Sequence, residues 1–317
     1  MSFRLLGSLA LAVVLLTAGC TSSVRGTADA GDVPALTAQA AFGDFATVDF
    51  CSLVNDHVLR DSPVTVRSSL SGLVRCYAEV EIAEAMVQVT VGDLYTTVPF
   101  GSTDENRTLA RSVHRLHFDD DDGTCWRELV FADDVGLQIM ALPVYGHDDM
   151  DDLCRAADSV TDAVAASAFA GSAESRKPAA DSLTGEDACE VLDVAEVADV
   201  MGRELATTPG LGGHACYRAL PEEPAIRADV EFDVMDFGAD LTGVYPDDVA
   251  GRPSRLWDYS DGCWIETPHM AVPAEATTEW EVVTIWAEGG DGDHCETAME
   301  LAEIAWPRLP EFEGDGG

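Results

Sequence analysis

The chain has 317 residues, 58 Asp and Glu against 18 Lys and Arg, and nine cysteines. This length suits two domains better than one, and an apolar content of 47% is enough for packed cores, which excludes wholesale disorder. The formal net charge of −40 argues against nucleic acid as a partner, because phosphate binding needs clustered Lys and Arg.

The N-terminal residues have the pattern of a secretory signal peptide. Residues 1–4 form a short basic start, residues 5–16 are almost wholly apolar, and Thr17-Ala18-Gly19-Cys20 follows. An apolar run of about twelve residues is too short to cross a bilayer core of ~30 Å as a helix. We therefore predict that residues 1–19 are a signal peptide.

Cys20 is the predicted lipidation site. The preceding Leu16-Thr17-Ala18-Gly19 resembles a bacterial lipobox, in which the cysteine becomes the first residue of the mature chain. Acyl chains such as palmitate would hold the protein stably at the extracytoplasmic face of the cell membrane. In the alternative, the protein is secreted and Cys20 has no role. Residues 20–45 lack sustained periodicity and are predicted to be a lipidated flexible tether.

Cysteine spacing divides the rest of the chain into two copies. The second set of four cysteines follows the first at offsets of 138, 140, 138 and 141 residues. Cys-Tyr, Cys-Trp, Asp-Gly and Arg-Leu dipeptides also recur at corresponding positions. We infer an internal duplication. The matched cysteines are Cys51, Cys76, Cys125 and Cys154, then Cys189, Cys216, Cys263 and Cys295.

Each copy has the same predicted order of elements. A short helix begins near the first cysteine, four segments alternate apolar and polar residues as strands do, and a segment with helical spacing ends the copy. The order predicts an α+β fold, in which two helices cover one face of an antiparallel sheet. The predicted strands are 73–80, 85–91, 125–131 and 137–144, then 214–220, 226–235, 263–270 and 280–287.

Composition then sets the predicted domain boundaries. The first domain covers residues 46–169 and the second covers residues 185–310, followed by a tail at 311–317. Residues 170–184 between the domains are rich in Ala and Ser, include a proline, and are predicted to be a linker.

The eight cysteines of the two copies are predicted to form structural disulfides. Exported proteins meet an oxidising environment, and no two of these cysteines form a close Cys-x-x-Cys pair. Four cysteines allow three pairings per domain. The preferred pairing joins like elements, helix to helix and strand to strand: Cys51–Cys154, Cys76–Cys125, Cys189–Cys295 and Cys216–Cys263. The rival pairing joins first with second and third with fourth.

The lipobox, an Asp-x-Cys-x-Leu helix start, Cys-Tyr at a strand start and a late Asp-x-Cys-x-x-Ala helix resemble actinobacterial cysteine-containing surface lipoproteins built on a domain of unknown function. The resemblance covers about residues 46–306, once per copy. Family members often have Pro before the first cysteine, where this chain has Phe50 and Ala188. The resemblance implies a lipid-anchored extracytoplasmic protein and supplies no active site.

Two acidic runs, Asp119–Gly123 and His147–Asp152, are candidate calcium sites. An EF-hand loop needs acidic ligands at positions 1, 3 and 5, Gly at 6 and Glu at 12. Placing Gly123 at position 6 puts Phe118 at 1 and Leu129 at 12, so the motif is absent. We interpret the runs as solvated loops and keep a divalent-metal site as the alternative.

His114 and His117 form a candidate transition-metal pair beside the first acidic run. The second copy has Arg255-Leu256-Trp257 at this place and lacks both histidines. A surface histidine pair without a metal is therefore the preferred interpretation.

Catalytic motifs are not found. The chain has no Gly-x-Ser-x-Gly elbow, no Ser-x-x-Lys and no free cysteine to pair with a histidine. Carboxylates are too plentiful for a catalytic pair to be singled out. Four tryptophans are concentrated in the second copy, where strand spacing favours core or interface positions over a sugar platform: Trp257, Trp264, Trp280 and Trp286. If one domain carries a ligand, we expect it to be the second.

The sequence thus predicts a lipid-anchored envelope lipoprotein that acts as a binding or interaction module, with no enzyme activity and no cofactor. Its predicted partners are the membrane, through the anchor, and an unidentified envelope protein or small ligand. The alternatives are an envelope divalent-metal binder and, less favoured, a hydrolase of envelope polymers.

Overall fold

The computed structural model describes residues 33–96, 106–120, 123–144, 149–236, 247–272, 279–289 and 293–311. Both large sheets described below belong to one unit of the chain, Ala35–Gly317. The predicted signal peptide, residues 20–32 of the predicted tether, including Cys20, and residues 312–317 of the tail lie outside the described residues.

Most of the described elements are strands. The first nine are β1 (Val48–Asp49), β2 (Thr65–Ser71), β3 (Arg75–Ile82), β4 (Ala85–Thr96), β5 (Arg107–Thr108), β6 (His114–Asp120), β7 (Thr124–Val130), β8 (Val135–Pro143) and β9 (Glu174–Ser175). The others are β10 (Ala206–Pro209), β11 (Ala215–Leu220), β12 (Glu223–Asp236), β13 (Asp247–Val249), β14 (Arg252–Asp258), β15 (Gly262–Ala271) and β16 (Glu279–Glu288).

The helices are few, and most of them are short. The α-helices are α1 (Ala38–Phe42), α2 (Met150–Ala170), α3 (Ala188–Val191), α4 (Val194–Met201) and α5 (His294–Ala305). Short 3-10 helices cover Phe45–Thr47, Phe50–Leu53, Ala110–Ser112, Leu183–Gly185 and Trp306–Arg308.

The strands form two seven-stranded antiparallel sheets with the same order. The first sheet runs β2-β3-β4-β8-β7-β6-β5, and the second runs β10-β11-β12-β16-β15-β14-β13. β1 and β9 pair as a separate two-stranded antiparallel sheet. Corresponding strands of the two large sheets come from corresponding parts of the two sequence copies.

The predicted α+β class is wrong, because the protein is mostly β and each of the two large sheets has seven strands where about four were predicted. The predicted first helix is only the 3-10 helix Phe50–Leu53 in the first copy, and in the second copy it is divided between the short helices α3 and α4. The prediction missed the outer strands because they are polar. Edge strand β10 is exposed at all four residues, and a strand at a sheet edge does not need the apolar alternation that the prediction relied on.

The first core lies between the first sheet and α2. Residues of β3 alternate, so that Cys76, Ala78, Val80 and Ile82 are buried. The helix contributes a mainly apolar buried stripe that includes Val160 and Val164. Because small residues such as alanine make up much of this stripe, the helix can approach the sheet closely.

The second core lies between the second sheet and α5. Val230 and Phe232 of β12 are buried in it, together with Leu301 of α5 and Trp306, the largest of the fully buried side chains. The indole Nε1 of Trp306 donates to Ser254 Oγ over 3.0 Å. Because side chains alternate along a strand and Val230 and Phe232 face the core, the charged residues that alternate with them in β12 lie on the opposite face of the sheet.

Four disulfides are present, but the preferred pairing is wrong. The bonded pairs are Cys51–Cys76, Cys125–Cys154, Cys189–Cys216 and Cys263–Cys295, so each joins a strand cysteine to a helical element. Strands β3 and β7, which carry two of these cysteines, are separated by β4 and β8. Three strand spacings amount to ~14 Å, whereas disulfides need Cα atoms roughly 4.4–6.8 Å apart.

Parts of the predicted tether and linker are ordered in the structure. Leu36, Ala38 and Phe42, which the sequence assigns to the tether, are buried in the first core. In the linker, β9 pairs with β1, and Leu183 is buried in the second core. Apolar residues too sparse to show a periodicity are enough to fix a segment when a core lies next to it.

Candidate functional site

The two large sheets meet through an arginine. Arg75 begins β3, and its Nη2 lies 2.6 Å from Glu231 Oε2 on β12 and 3.0 Å from Asp93 Oδ1 on β4. All three side chains are largely buried. One guanidinium group therefore contacts two carboxylates, one from each sheet.

A β-bulge places Asp93 beside Arg75. The register of β4 against β8 shifts between Gly92 and Tyr95, and Asp93 adopts a φ of 52°, a left-handed conformation that Asp accepts more readily than most residues. The N–H of Asp93 donates to the Val74 carbonyl over 2.9 Å. A Cβ on Gly92 would lie 2.4 Å from the same carbonyl oxygen, so only glycine allows this approach.

Asp233 closes the junction between the sheets. Its Oδ1 accepts a hydrogen bond from the Leu73 N–H over 2.8 Å, and its Oδ2 accepts one from Tyr77 Oη over 2.6 Å. The residue is only 1% exposed. A Cβ on Gly72 would lie 2.1 Å from Asp233 Oδ1. The turn from β2 to β3 can therefore reach β12 only because it contains a glycine.

A cavity of about 820 Å³ opens beside this junction, and we call it the inter-sheet cleft. This volume is in the usual range of small-molecule sites, roughly 300–1,000 Å³. The charged side chains that line it are Arg75, Asp93, Arg227, Asp229 and Glu231. The aromatic side chains that line it are Tyr95, Tyr217, Tyr259, Trp264 and Trp286.

The aromatic rings form a connected group on the second sheet. Trp264 and Trp286 are partners across β15 and β16, and their ring centroids lie 6.5 Å apart at 86°, an edge-to-face arrangement. The Tyr259 ring lies 5.6 Å from that of Trp286. The guanidinium carbon of Arg227 lies 5.6 Å from the centroid of Trp286, within cation–π range.

One polar atom among these aromatic residues is left unpaired. The indole Nε1 of Trp264 is buried and has no hydrogen-bond partner among the described residues. A buried donor without a partner is destabilising, and such atoms are rare in native proteins outside sites that bind water, ions or ligands.

Burial raises the pKa values of the cleft carboxylates. The pKa of Glu231 rises to about 8, mainly because burial removes water, although the charge of Arg75 opposes the rise. Burial likewise raises the pKa of Asp229 to about 6, against the lowering effects of the Arg218 N–H and of Arg227. The pKa of Asp93 is also raised by burial. The arginines therefore do not fully offset the desolvation of these carboxylates.

Two tyrosines of the cleft, Tyr95 and Tyr217, remain protonated. Burial raises the pKa of Tyr217 well above its usual range, and the charge of Glu231 adds to the rise. Burial also raises the pKa of Tyr95, with a further contribution from its hydrogen bond to Glu128. Both phenols are therefore available as hydrogen-bond donors at neutral pH.

A second cavity of about 670 Å³ is lined by residues outside the two large sheets. It is more open than the inter-sheet cleft, Phe45 is its single aromatic lining residue, and it has no arginine or lysine. Its charged lining residues are Asp44, Glu186 and Asp187. An open acidic wall of this kind offers little specificity, so the inter-sheet cleft is the candidate site.

The four tryptophans of the second copy are divided by the structure. Trp264 and Trp286 line the cleft, whereas Trp280 is buried at 7% exposure. Trp257 is 40% exposed and stacks under Arg255, whose guanidinium carbon lies 4.1 Å from its ring centroid. The second sheet thus supplies both tryptophans of the site.

Sequence reasoning missed the charged residues of the cleft. Arg75, Asp93 and Glu231 come from three different strands, and the chain is so rich in acids that no two of them could be singled out. The only signal was local: the predicted strand 226–235 alternates, which places Arg227 and Glu231 on one face. That this face is buried against another sheet could not be read from the pattern.

The two histidines of the candidate metal pair lie on opposite faces of one strand. His114 and His117 lie on β6, and an odd separation sends them to opposite faces. His114 is exposed, whereas His117 is buried at 9% exposure. Within the described ranges no group of three or more His, Cys, Asp or Glu residues could hold a metal ion. The acidic runs 119–123 and 147–152 lie partly outside the described residues.

No helix in the described part of the chain combines the length and the apolar character needed to cross a bilayer. Comparisons of the chain with models of protein families, with curated protein sequences and with solved structures find no match, so its function has to be inferred from the inter-sheet cleft.

Proposed function

We propose that this protein is a lipid-anchored protein of the cell envelope that binds a small ligand in the inter-sheet cleft. The observation that carries the proposal is the convergence of desolvated charged groups and aromatic rings on one cavity of about 820 Å³. Burying charged groups is costly unless they are paired or used. Pockets with a few convergent polar groups and perturbed pKa values are the usual form of binding sites.

A purely structural junction would look different. Two sheets that served only to support each other would be expected to bury apolar side chains, or ion pairs with matched charges. Here a cavity remains between them, and the buried indole N–H of Trp264 has no partner among the described residues. A ligand that fills the cleft would supply an acceptor to this donor and further contacts to the rings.

The lipid anchor is supported by the lipobox-like residues before Cys20. In a bacterial host, Cys20→Ala should move the protein from the membrane fraction to the medium or the soluble envelope fraction. Retention of the variant in the membrane fraction would contradict anchoring through this cysteine.

The binding function can be tested by a thermal-shift screen of the full chain with sugars, amino acids, amines and nucleosides. A ligand present at a hundred times its dissociation constant stabilises the folded state by about 2.7 kcal/mol. Trp264→Phe should weaken binding of any true cleft ligand. The matched control is Trp126→Phe, because Trp126 occupies the same Cys-Trp position of the first copy and does not line the cleft.

Two outcomes would contradict the binding function. The first is a screen in which no compound raises the melting temperature at millimolar concentration. The second is a set of hits to which Trp264→Phe and Trp126→Phe respond equally, because the ligand would then bind outside the cleft.

Hydrolysis of an envelope polymer is the second candidate function, favoured by the raised pKa of Glu231, a property of general acids. Its ion pair with Arg75 favours a role in ligand binding over a role in proton transfer. The test is whether the full chain releases new reducing ends from cell-wall polysaccharide and whether Glu231→Gln abolishes this release. If both are observed, hydrolysis is the function and the binding proposal is wrong.

A further inference from the structure

We propose that the ligand of the inter-sheet cleft is an organic cation, whose ammonium group lies between the cleft carboxylates and the aromatic rings. This inference rests on the proposed binding function and names the class of ligand. It is carried by the charges, by the rings and by the way the two are arranged on the second sheet.

Carboxyl groups outnumber guanidinium groups in the lining of the cleft. Two arginines line it, and each is already engaged: Arg75 with Asp93 and Glu231, and Arg227 with a glutamate at 2.8 Å. The carboxylates that line the cleft are Asp93, Asp229 and Glu231. With all three ionised, three carboxylates against two guanidinium groups leave one negative charge, which a cationic ligand would balance.

The rings offer the surface that organic cations prefer. An ammonium group within ~6 Å of a tryptophan ring is attracted by the ring's negative face, and quaternary ammonium ligands are commonly bound in this way. Trp286 already attracts one cation, because the Arg227 guanidinium lies 5.6 Å from its centroid. Trp264, its neighbour across the strands, is a second tryptophan on the same wall.

Other ligand classes fit less well. A phosphate or carboxylate ligand would enter a site with a surplus of buried carboxylates. A metal ion would need a compact group of ligands, and no group of three or more His, Cys, Asp or Glu of that kind occurs in the described ranges. A neutral sugar would use the rings but would leave the carboxylates uncompensated.

Binding of a cation should be coupled to proton release. Without ligand, the raised pKa of Glu231, about 8, keeps this carboxyl largely protonated at pH 7. A bound cation favours the ionised form and expels the proton. The groups that act on Glu231 and on its neighbour Asp229 are Arg75, Tyr77, Asp93, Tyr217, Arg218, Arg227, Asp233 and Glu288. Affinity should therefore rise with pH.

The experiment compares choline with 3,3-dimethylbutan-1-ol, which has the same shape without the charge. Titrations of the full chain, followed by tryptophan fluorescence and calorimetry, should show choline binding at least about tenfold more tightly than the neutral alcohol. Choline affinity should increase by up to about fiftyfold between pH 6 and pH 8, the ratio of ionised fractions for a pKa of about 8. The alcohol should show no such dependence.

Variants locate the effect in the cleft. Glu231→Gln should weaken choline binding about tenfold and remove most of its pH dependence, and Asp229→Asn provides a second test if the first variant folds poorly. Glu81→Gln is the matched control, because Glu81 is also paired with an arginine, Arg67, but lies outside the cleft. Its choline affinity should equal that of the unaltered chain.

Each other outcome overturns the inference. Equal binding of choline and the neutral alcohol, or binding independent of Glu231 and Asp229, would overturn the cation class and leave the cleft as a binding site. Binding of N-acetylglucosamine alone, weakened by Trp264→Phe, would do the same. If neither these probes nor any compound of the thermal-shift screen bound, both the inference and the proposed function would fail.

Discussion

Tyr77→Phe tests the physical account of the junction between the sheets. The Tyr77 hydroxyl donates to Asp233 Oδ2 over 2.6 Å, from the first sheet to the second. The acceptor is 1% exposed, so water cannot replace the lost donor. Burial and the charge of Asp233 raise the pKa of Tyr77 well above its usual range, which keeps the phenol protonated as a donor.

The expected loss follows from the charge and burial of the acceptor. A hydrogen bond to a charged group contributes about 1.5–3 kcal/mol, and a buried acceptor without its donor adds a desolvation cost. The Leu73 N–H still donates to the other oxygen of Asp233, which limits the effect. We therefore expect the free energy of unfolding to fall by about 1.5–3 kcal/mol.

The assay is urea unfolding of the full chain at pH 7 with its disulfides intact, followed by tryptophan fluorescence. With a urea slope of about 3 kcal/mol per M, the midpoint should fall by about 0.5–1 M at an unchanged slope. Tyr217→Phe is the matched control. Tyr217 occupies the equivalent Cys-Tyr position of the second copy and lines the cleft, and its hydroxyl has no hydrogen-bond partner among the described residues.

The comparison of the two variants tests whether the hydrogen bond from Tyr77 to Asp233 stabilises the protein. Loss of stability in Tyr77→Phe alone supports the buried contact with Asp233. Equal midpoints for the two variants would refute the reasoning, because burial and side-chain size change alike in both and only the hydrogen bond differs.

Three further outcomes are expected. Gly72→Ala places a Cβ against a buried carboxylate and should lower the free energy of unfolding, measured in urea titrations, by ~2 kcal/mol or more. The control is Gly185→Ala, which should be neutral because its Cβ meets nothing within 4 Å. Equal effects of the two variants would contradict this prediction. Non-reduced peptide mapping should show Cys51 linked to Cys76, and a link from Cys51 to another cysteine would contradict the structure. Glu231 holds its proton more tightly in the folded state, so the free energy of unfolding should fall as pH rises from about 4.5 towards about 8. Unfolding measured across this pH range should show a smaller fall for Glu231→Gln. If the free energy of unfolding of the variant depends on pH as that of the unaltered chain does, the pKa of Glu231 is not raised.

The disulfides show how far spacing alone can lead. Their sequence offsets identified the matched cysteines, and the predicted export of the chain indicated that they are oxidised, which the structure confirms for the bonded state. The preferred pairing of like elements was wrong because each disulfide joins a cysteine of a sheet to a cysteine of the helical element that packs on that sheet. Cys76 on β3 points into the core, where Cys51 of the overlying 3-10 helix is its nearest partner.

The repeated Arg-Leu dipeptides show a limit of sequence comparison. Leu116 pairs with Glu128 across β6 and β7, whereas Arg255 pairs with Glu266, the counterpart of Glu128, across β14 and β15. The register of the second sheet is thus shifted by one residue. Because a one-residue shift reverses the face of every side chain, Arg115 is buried against carboxylates of α2, whereas Arg255 bonds to Glu266 within its own sheet.

Sequence by itself determined the duplication, the set of bonded cysteines and the central strands of both sheets, because spacing and alternation are local properties of the chain. Only the tertiary structure decided the polar edge strands, the disulfide pairing and the inter-sheet cleft. Arg75 and Glu231 are 156 residues apart in the chain and 2.6 Å apart in space. The desolvation that gives these charges their chemical significance comes from the packing of one sheet against the other, which no local pattern records.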